Sequence, residues 1–510
     1  GLRVNANELR CRVVGEGGNL GMSQLARVEY ALHGGRLNTD FIDNAGGVDC
    51  SDHEVNIKIL LDAIVARGDL TEKQRNGLLE DMTEAVAELV LDNNYRQVQA
   101  ISLTERESRI RSGEYRRLIT TLENQGRLDR ELEFLPSDEE IGDRLVQGNA
   151  LTRPELSVLV SYSKAILKER LIDSDLGRDP HLARAVASAF PAQLVERFPD
   201  DVAKHRLQRE IMCTQVANDI VNRMGLNFVL RQHKATGASE ADVARVYTAV
   251  FAIFRLEELW KEVEALDYTV PAEIQLDMML VIVRLVKRAT RWVLRNRRHQ
   301  VSPTQLIEEF RQCIDSLSGV LPGLLRADAA ELYNERLERY REAGVEEGLS
   351  ARVAICLHAF TGLAIGDVAT SSGSELLEVA ELYFHLGESL ELDWFGGLIL
   401  SSTVENEWQA MAREAFLEDL QWQQCTLAMG VLQCHGAPRD DGETDSAAVE
   451  ADNHILQSLR EWEHREAALL QRWREMLTEL HSVVVPDFAM FAVANRELLD
   501  LAQSSRRMEG

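Results

Sequence analysis

Two short segments hold the residue types best suited to ligand chemistry: Gly15-Glu16-Gly17-Gly18-Asn19-Leu20-Gly21 and Asn44-Ala45-Gly46-Gly47-Val48-Asp49-Cys50-Ser51. Glycines let a backbone approach a ligand closely, and each carboxamide offers both a donor and an acceptor. Each segment follows a short apolar run and precedes a helix-like pattern. Both therefore read as tight turns between a strand and a helix, where amides at a helix N-terminus receive anions and polar groups. The second turn adds Ser51 at what the pattern reads as a helix start. A hydroxyl there suits a carboxylate, because a charge-assisted hydrogen bond and the helix dipole act together. A plain N-cap role is compatible with the same position, and glycine-rich turns are common, so neither turn identifies a function by itself.

Other candidates are weaker. Arg284, Arg288, Arg291, Arg295 and Arg298 recur every three or four residues and stripe one helical face. The plain expectation is pairing with the protein's own carboxylates; the sharper one is a site for an anionic effector or an acidic neighbouring subunit. Cys425, Cys434 and His435 fit no zinc spacing, so no metal site is expected. Cys356 and His358 sit in an apolar helical pattern and read as core residues. Trp260, Trp292, Trp408 and Trp422 read as packing anchors.

The elements that would position the two turns read as follows. Residues 11–15 (CRVVG) look like a buried strand, and residues 23–32 a helix capped by Ser23 and stopped at Gly34 and Gly35. Residues 38–43 suggest a second strand, and a helix follows from about Ser51. This predicts an α/β fold class, the C-terminal end of a Rossmann-type nucleotide-binding domain, with parallel strands that need neighbours to cover them. From about residue 70 the pattern is helical almost without relief, with one long helix expected over residues 71–93. Capping boxes stand at Ser137 with Glu140 and at Thr152 with Glu155, the latter followed by LSVLVSYSKAIL. The expected domains are residues 1–112, the end of the α/β part with its return helices; 113–435, a large all-α region; 436–453, an acidic linker; and 454–510, a helical segment.

The chain has 510 residues and a net charge of −27. A field of that sign repels phosphate backbones and anionic membrane surfaces, so nucleic acid and membranes are not expected partners. Seven scattered cysteines without a CxxC fit a reducing, cytoplasmic setting. The longest uncharged apolar stretch, residues 353–366, is short for a membrane span. Opening on Gly1 with an apolar strand almost at once, the sequence reads as a piece of something longer.

The paired segments GEGGN and NAGGVDCS resemble the end of the nucleotide-binding domain of glutamate dehydrogenases. The longer wording around them, with LTRPELSVLVSYSKAIL, HRLQREIMCTQVANDIVNRMGLNFV and VKRATRWVLRN, is similar to the C-terminal part of the large NAD-dependent members. The resemblance covers most of the chain and is strongest over its first seventy residues. It implies NAD as cofactor and L-glutamate and 2-oxoglutarate as substrate and product. Gly17, Gly18, Asn19 and Asn44 would contact the nicotinamide end of the cofactor, and Asn44, Gly46, Gly47, Val48 and Ser51 would form part of the dicarboxylate pocket. Gly18 departs from the alanine of the compact hexameric members, and Asp52-His53-Glu54-Val55 from their aromatic continuation. His53 is not expected to be a general base, because the family's chemistry uses a lysine and an aspartate. The resemblance places both upstream of these segments, and the dinucleotide glycine fingerprint is likewise not evident. No catalytic residue is assigned within the chain, which is expected to be inactive alone. A homo-oligomer and a small-molecule effector are further expectations. A non-catalytic helical oligomerisation or regulatory module is the other reading.

Overall fold

The computed structural model describes residues 3–176, 179–297, 302–404, 406–433 and 457–506. The expected linker 436–453, together with Cys434, His435 and Arg298, lies outside them. Among the described residues every regular element is helical. The β structure there consists of one isolated parallel bridge, Val13 to Arg36. The α/β Rossmann-type end expected from the sequence is thus corrected: this part is helix and irregular chain, and the all-α expectation for the remainder fits.

Local chemistry explains the correction. Residues 11–15 are extended, but they make only two ladder bonds, Val14 N–H to Arg36 O at 2.9 Å and Arg36 N–H to Arg12 O at 3.0 Å. A parallel ladder gains stability from neighbouring strands and from cover on both faces, and no further strand joins this pair. The presumed second strand, residues 38–43, instead ends in a short helix, α2 (Asp40–Asp43), after α1 (Gln24–Leu32). Its Asn38 and Asp40 are buried polar residues whose side chains make hydrogen bonds away from any ladder.

α1 starts as expected, with the Ser23 hydroxyl accepting from Ala26 N–H, and Gly34 takes a positive φ of 88° just beyond its end. α3 (Ala45–Arg67) begins six residues earlier than expected, directly after Asn44, and stops at Gly68 in the left-handed region. The expected long helix over 71–93 is two, α4 (Glu72–Asp81) and α5 (Thr83–Ser108). They break at buried Met82, where the Thr83 hydroxyl bonds back to the carbonyls of Leu79 and Glu80 and competes with the helix ladder. After α6 (Ser112–Asn124) come α7 (Asp138–Val146) and α8 (Arg153–Asp173), each with its capping box formed.

The chain makes two compact units, Gly1–Val250 with Thr290–Thr304, and Phe251–Ala289 with Gln305–Gly510. In the first, α8 packs against α1, α5 and the helix Gln208–Met224, and α3 against α5. In the second, the helices Glu407–Gln433, Ala467–Ser482 and Phe488–Ser505 close on Phe395, Trp462, Trp473 and Phe491. Of seven tryptophans, Trp292 is in the first unit and the other six are in the second. Trp408 and Trp422 are not the expected anchors: they are 80% and 44% exposed, on the outer side of a helix whose Leu427, Ala428 and Val431 enter the core. Among the described residues no single helix is long and apolar enough to cross a membrane. Glu347–Ala359 and Thr361–Ser372 meet that test only as a pair bent by 61°.

Candidate functional site

The first glycine turn is held by carboxylates that arrive from α2. Buried Arg27 of α1 grips Glu16 through two bonds, Nε to Oε2 at 2.5 Å and Nη2 to Oε1 at 3.0 Å, and reaches Asp40 at 3.1 Å. Asp40 in turn accepts the amide of Leu20 at 2.8 Å, and Asp43 accepts the amide of Glu16 at 3.1 Å. Glu16 Oε1 also takes the Met22 amide at 2.9 Å. From the other side, Arg153 of α8 donates to Asn38, which donates to Asp43. Two of the turn's amides, which the sequence offered as ligand donors, and the Met22 amide just after them are thus committed to the protein's own acids. The open part is the glycine run: a Cβ built on Gly15, Gly17 or Gly18 would meet nothing within 4 Å.

The two turns meet through their asparagines. Asn44 Nδ2 donates to Asn19 Oδ1 at 2.6 Å, a bond that uses neither the Asn19 amino group nor the Asn44 side-chain oxygen. Because α3 starts at Ala45, the rest of the second segment is helix rather than turn. Asn44, Gly47, Val48 and Ser51 then fall at spacings of three, four and seven and share one face. That face is open: Gly47 has no neighbour within 4 Å of a Cβ, Val48 is 70% exposed, and Ser51 is exposed. Gly46 points the other way, toward Val90 of α5 at 3.6 Å. Ser51 is not an N-cap; its hydroxyl donates to Gly47 O at 3.2 Å, a turn and a half into the helix.

Behind this face lies a half-buried polar layer that the sequence reading missed. Asp49 accepts from Asn93 of α5 at 2.9 Å and lies 3.8 Å from His53 Nε2. His53 is buried, bonded through Nδ1 to Ala189 O at 3.0 Å, with Nε2 unpartnered. Lys164 of α8 donates to Gln97 at 3.0 Å; burial pushes its ammonium down to about 7, against the pull of Asp49. The available signal was a lone lysine inside the apolar run LSVLVSYSKAIL. Among the described residues no group of three or more His, Cys, Asp or Glu could hold a metal ion.

Residues 148–500 match the family model described as glutamate dehydrogenase, C-terminal, and residues 1–104 match that described as bacterial NAD-glutamate dehydrogenase, catalytic domain. The chain belongs to the glutamate dehydrogenase family. Its similarity to the NAD-specific glutamate dehydrogenase of Pseudomonas aeruginosa is 51% identity over 99% of the chain and 30% of that protein. The proteins of the same name from Halomonas elongata and Mycobacterium tuberculosis are 47% and 34% identical over the same shares. The chain thus spans about 30% of the length of these glutamate dehydrogenases. Both asparagines, Ser51 and the carboxylates around Arg27 lie in the portion that matches the catalytic-domain model.

Proposed function

We propose that this chain supplies one wall of the active site of an NAD-linked glutamate dehydrogenase, which converts L-glutamate and water to 2-oxoglutarate and ammonium. The observation that carries this reading is the joining of Asn19 to Asn44 at 2.6 Å beside the open face of Gly47, Val48 and Ser51. The residues suit the cofactor, because the two carboxamide groups that this bond does not use can pair with an amide, and glycines without neighbours leave room for a flat ring. NAD, when bound, takes up the hydride from the substrate α-carbon. Asn19, Gly17 and Gly18 would hold its nicotinamide end, with Asn44 at the junction. Ser51 would donate to the side-chain carboxylate of glutamate, with Gly47 and Val48 shaping the pocket and Gly46 seating α3 against Val90. The proton-transferring lysine and aspartate and the pyrophosphate turn would come from other parts of such an enzyme. The helices after residue 112 would serve assembly, as a homo-oligomer, and regulation. Exposed free thiols at Cys11 and Cys50 suit a reducing cytoplasm.

Replacing Ser51 by alanine in the intact enzyme tests the reading. The wild-type hydroxyl already donates to Gly47 O and must turn away to reach a ligand. The expected loss in kcat/KM for glutamate is therefore near the lower end of a charge-assisted bond, about 1.5 kcal/mol. Unchanged kinetics would remove Ser51 from the pocket.

A further inference from the structure

In the second unit, Arg284 and Arg288, the first two arginines of the stripe, do not find the carboxylates expected for them. Arg284 has neither an ion pair nor a hydrogen bond. Arg288, one turn on, lies with its guanidinium carbon 3.5 Å from the Phe360 ring centre and donates to Leu357 O at 3.3 Å, with no acid within ion-pair distance. Arg336, which like Arg288 acts on His358, shares with Arg339 a single carboxylate, Asp277, at 3.2 and 3.5 Å, and Tyr340 donates to the same oxygen at 3.0 Å. Arg336 Nε is buried and unpartnered, as is Nε2 of His358, the residue after Leu357. Burial, with Arg288 and Arg336 adding repulsion, holds the His358 imidazole down at about 4, so it is neutral at pH 7. Asp393 is the other acid facing Arg288; burial and Asp328 raise its pKa, so it is a reluctant counter-ion.

A surplus of guanidinium charge inside a chain of net charge −27 wants an acceptor. Unpartnered buried donors in a folded protein mark a missing water, ion or ligand. A guanidinium stacked on an aromatic ring keeps its N–H edge free and oriented for oxygen pairs. We infer that Arg284, Arg288, Arg336 and His358 form a binding site for a small oxyanion, the carboxylate or phosphate group of a low-molecular-weight ligand. Arg288 and Arg336 would supply the charged donors, neutral His358 would donate from Nε2, and Arg284 would close the outer edge.

Calorimetric titration of the 510-residue chain with inorganic phosphate and, separately, with malonate tests the site and separates the two ligand chemistries. Saturable binding of either anion is expected. Arg288→Gln should weaken it by about tenfold or more and Arg284→Gln by severalfold, with Arg288→Lys restoring part of the loss. Arg284 and Arg288 have exposed side chains and make no ion pair, so these variants keep the test independent of folding. A histidine NMR signal that is absent in His358→Gln should shift on anion addition and titrate at higher pH. Arg67→Gln, in the other unit, should bind as the wild type does. No saturable binding of either anion at millimolar concentration would overturn the inference, as would affinities unmoved by Arg284→Gln and Arg288→Gln.

Discussion

Arg27 does more to shape the glycine turn than any glycine in it. Its guanidinium neutralises buried Glu16 and reaches Asp40, and those acids hold the amides of Met22 and Leu20. Arg27→Met should leave two acids without their counter-ion and cost about 3–5 kcal/mol, measured by urea unfolding. The double variant Arg27→Met with Glu16→Met should recover part of that loss, and equal losses in both would refute the pairing account. Little of this was legible beforehand. Partners 11 to 27 residues apart have no spacing signature, and only the acidic residue set among glycines, Glu16, hinted at it. Lys164 adds a pH dependence. Folded, it releases its proton near 7, whereas unfolded it holds it to the ordinary 10.5. The unfolded chain thus binds more protons between those values, and this contribution to stability rises with pH across that window and is at its lowest below it. The melting temperature should climb from pH 7 to 9.5 more steeply in the wild type than in Lys164→Met; parallel curves would show that Lys164 is solvated.

At the scale of elements, helix starts marked by a capping side chain were readable, whereas strands and the start of α3 were not. Ser23, Ser137 with Glu140, and Thr152 with Glu155 cap where their chemistry says they should, because a cap is settled within four residues. A strand is settled by its neighbours, and residues 11–15 find one bridging partner. Glycines 46 and 47 disguised the start of α3, since two adjacent glycines suggest a turn although the first turn of a helix tolerates them. That misreading matters for the site: as helix, the segment sets Asn44, Gly47, Val48 and Ser51 on one face, an alignment that a turn would not have produced. Gly47→Ala separates stability from function. With helical backbone and open space around a Cβ, it should stabilise α3 by up to about 1 kcal/mol while placing a methyl group on the ligand face. A higher melting temperature with a raised KM for glutamate is expected, and an unchanged KM would take that face out of the pocket.

At the scale of the whole molecule, the division into two units was not legible, because no glycine- or proline-rich linker marks it; the helix Ala272–Asn296 supplies residues to both. Leu459, Leu470 and Trp473 of the C-terminal helical segment dock into the core of the second unit. Its tightest seam is where Gly430 meets Ser505. A Cβ on Gly430 would stand 2.6 Å from the Ser505 Cβ and 2.9 Å from its carbonyl oxygen, while the Ser505 hydroxyl accepts from Trp462 Nε1 at 2.8 Å. Gly430→Ala should therefore cost about 1–3 kcal/mol by overpacking, read by guanidinium unfolding; a neutral effect would mean that the two helices can separate without loss. The tryptophan distribution then decides what such an experiment sees. Six of the seven indoles belong to the second unit, and Trp260, Trp462 and Trp473 are fully buried there. Intrinsic emission is therefore a reporter for that unit and nearly blind to the one bearing Asn19, Asn44 and Ser51. Circular dichroism weighs the helices of both, so a transition visible at 222 nm but silent in fluorescence would be the signature of the first unit melting alone.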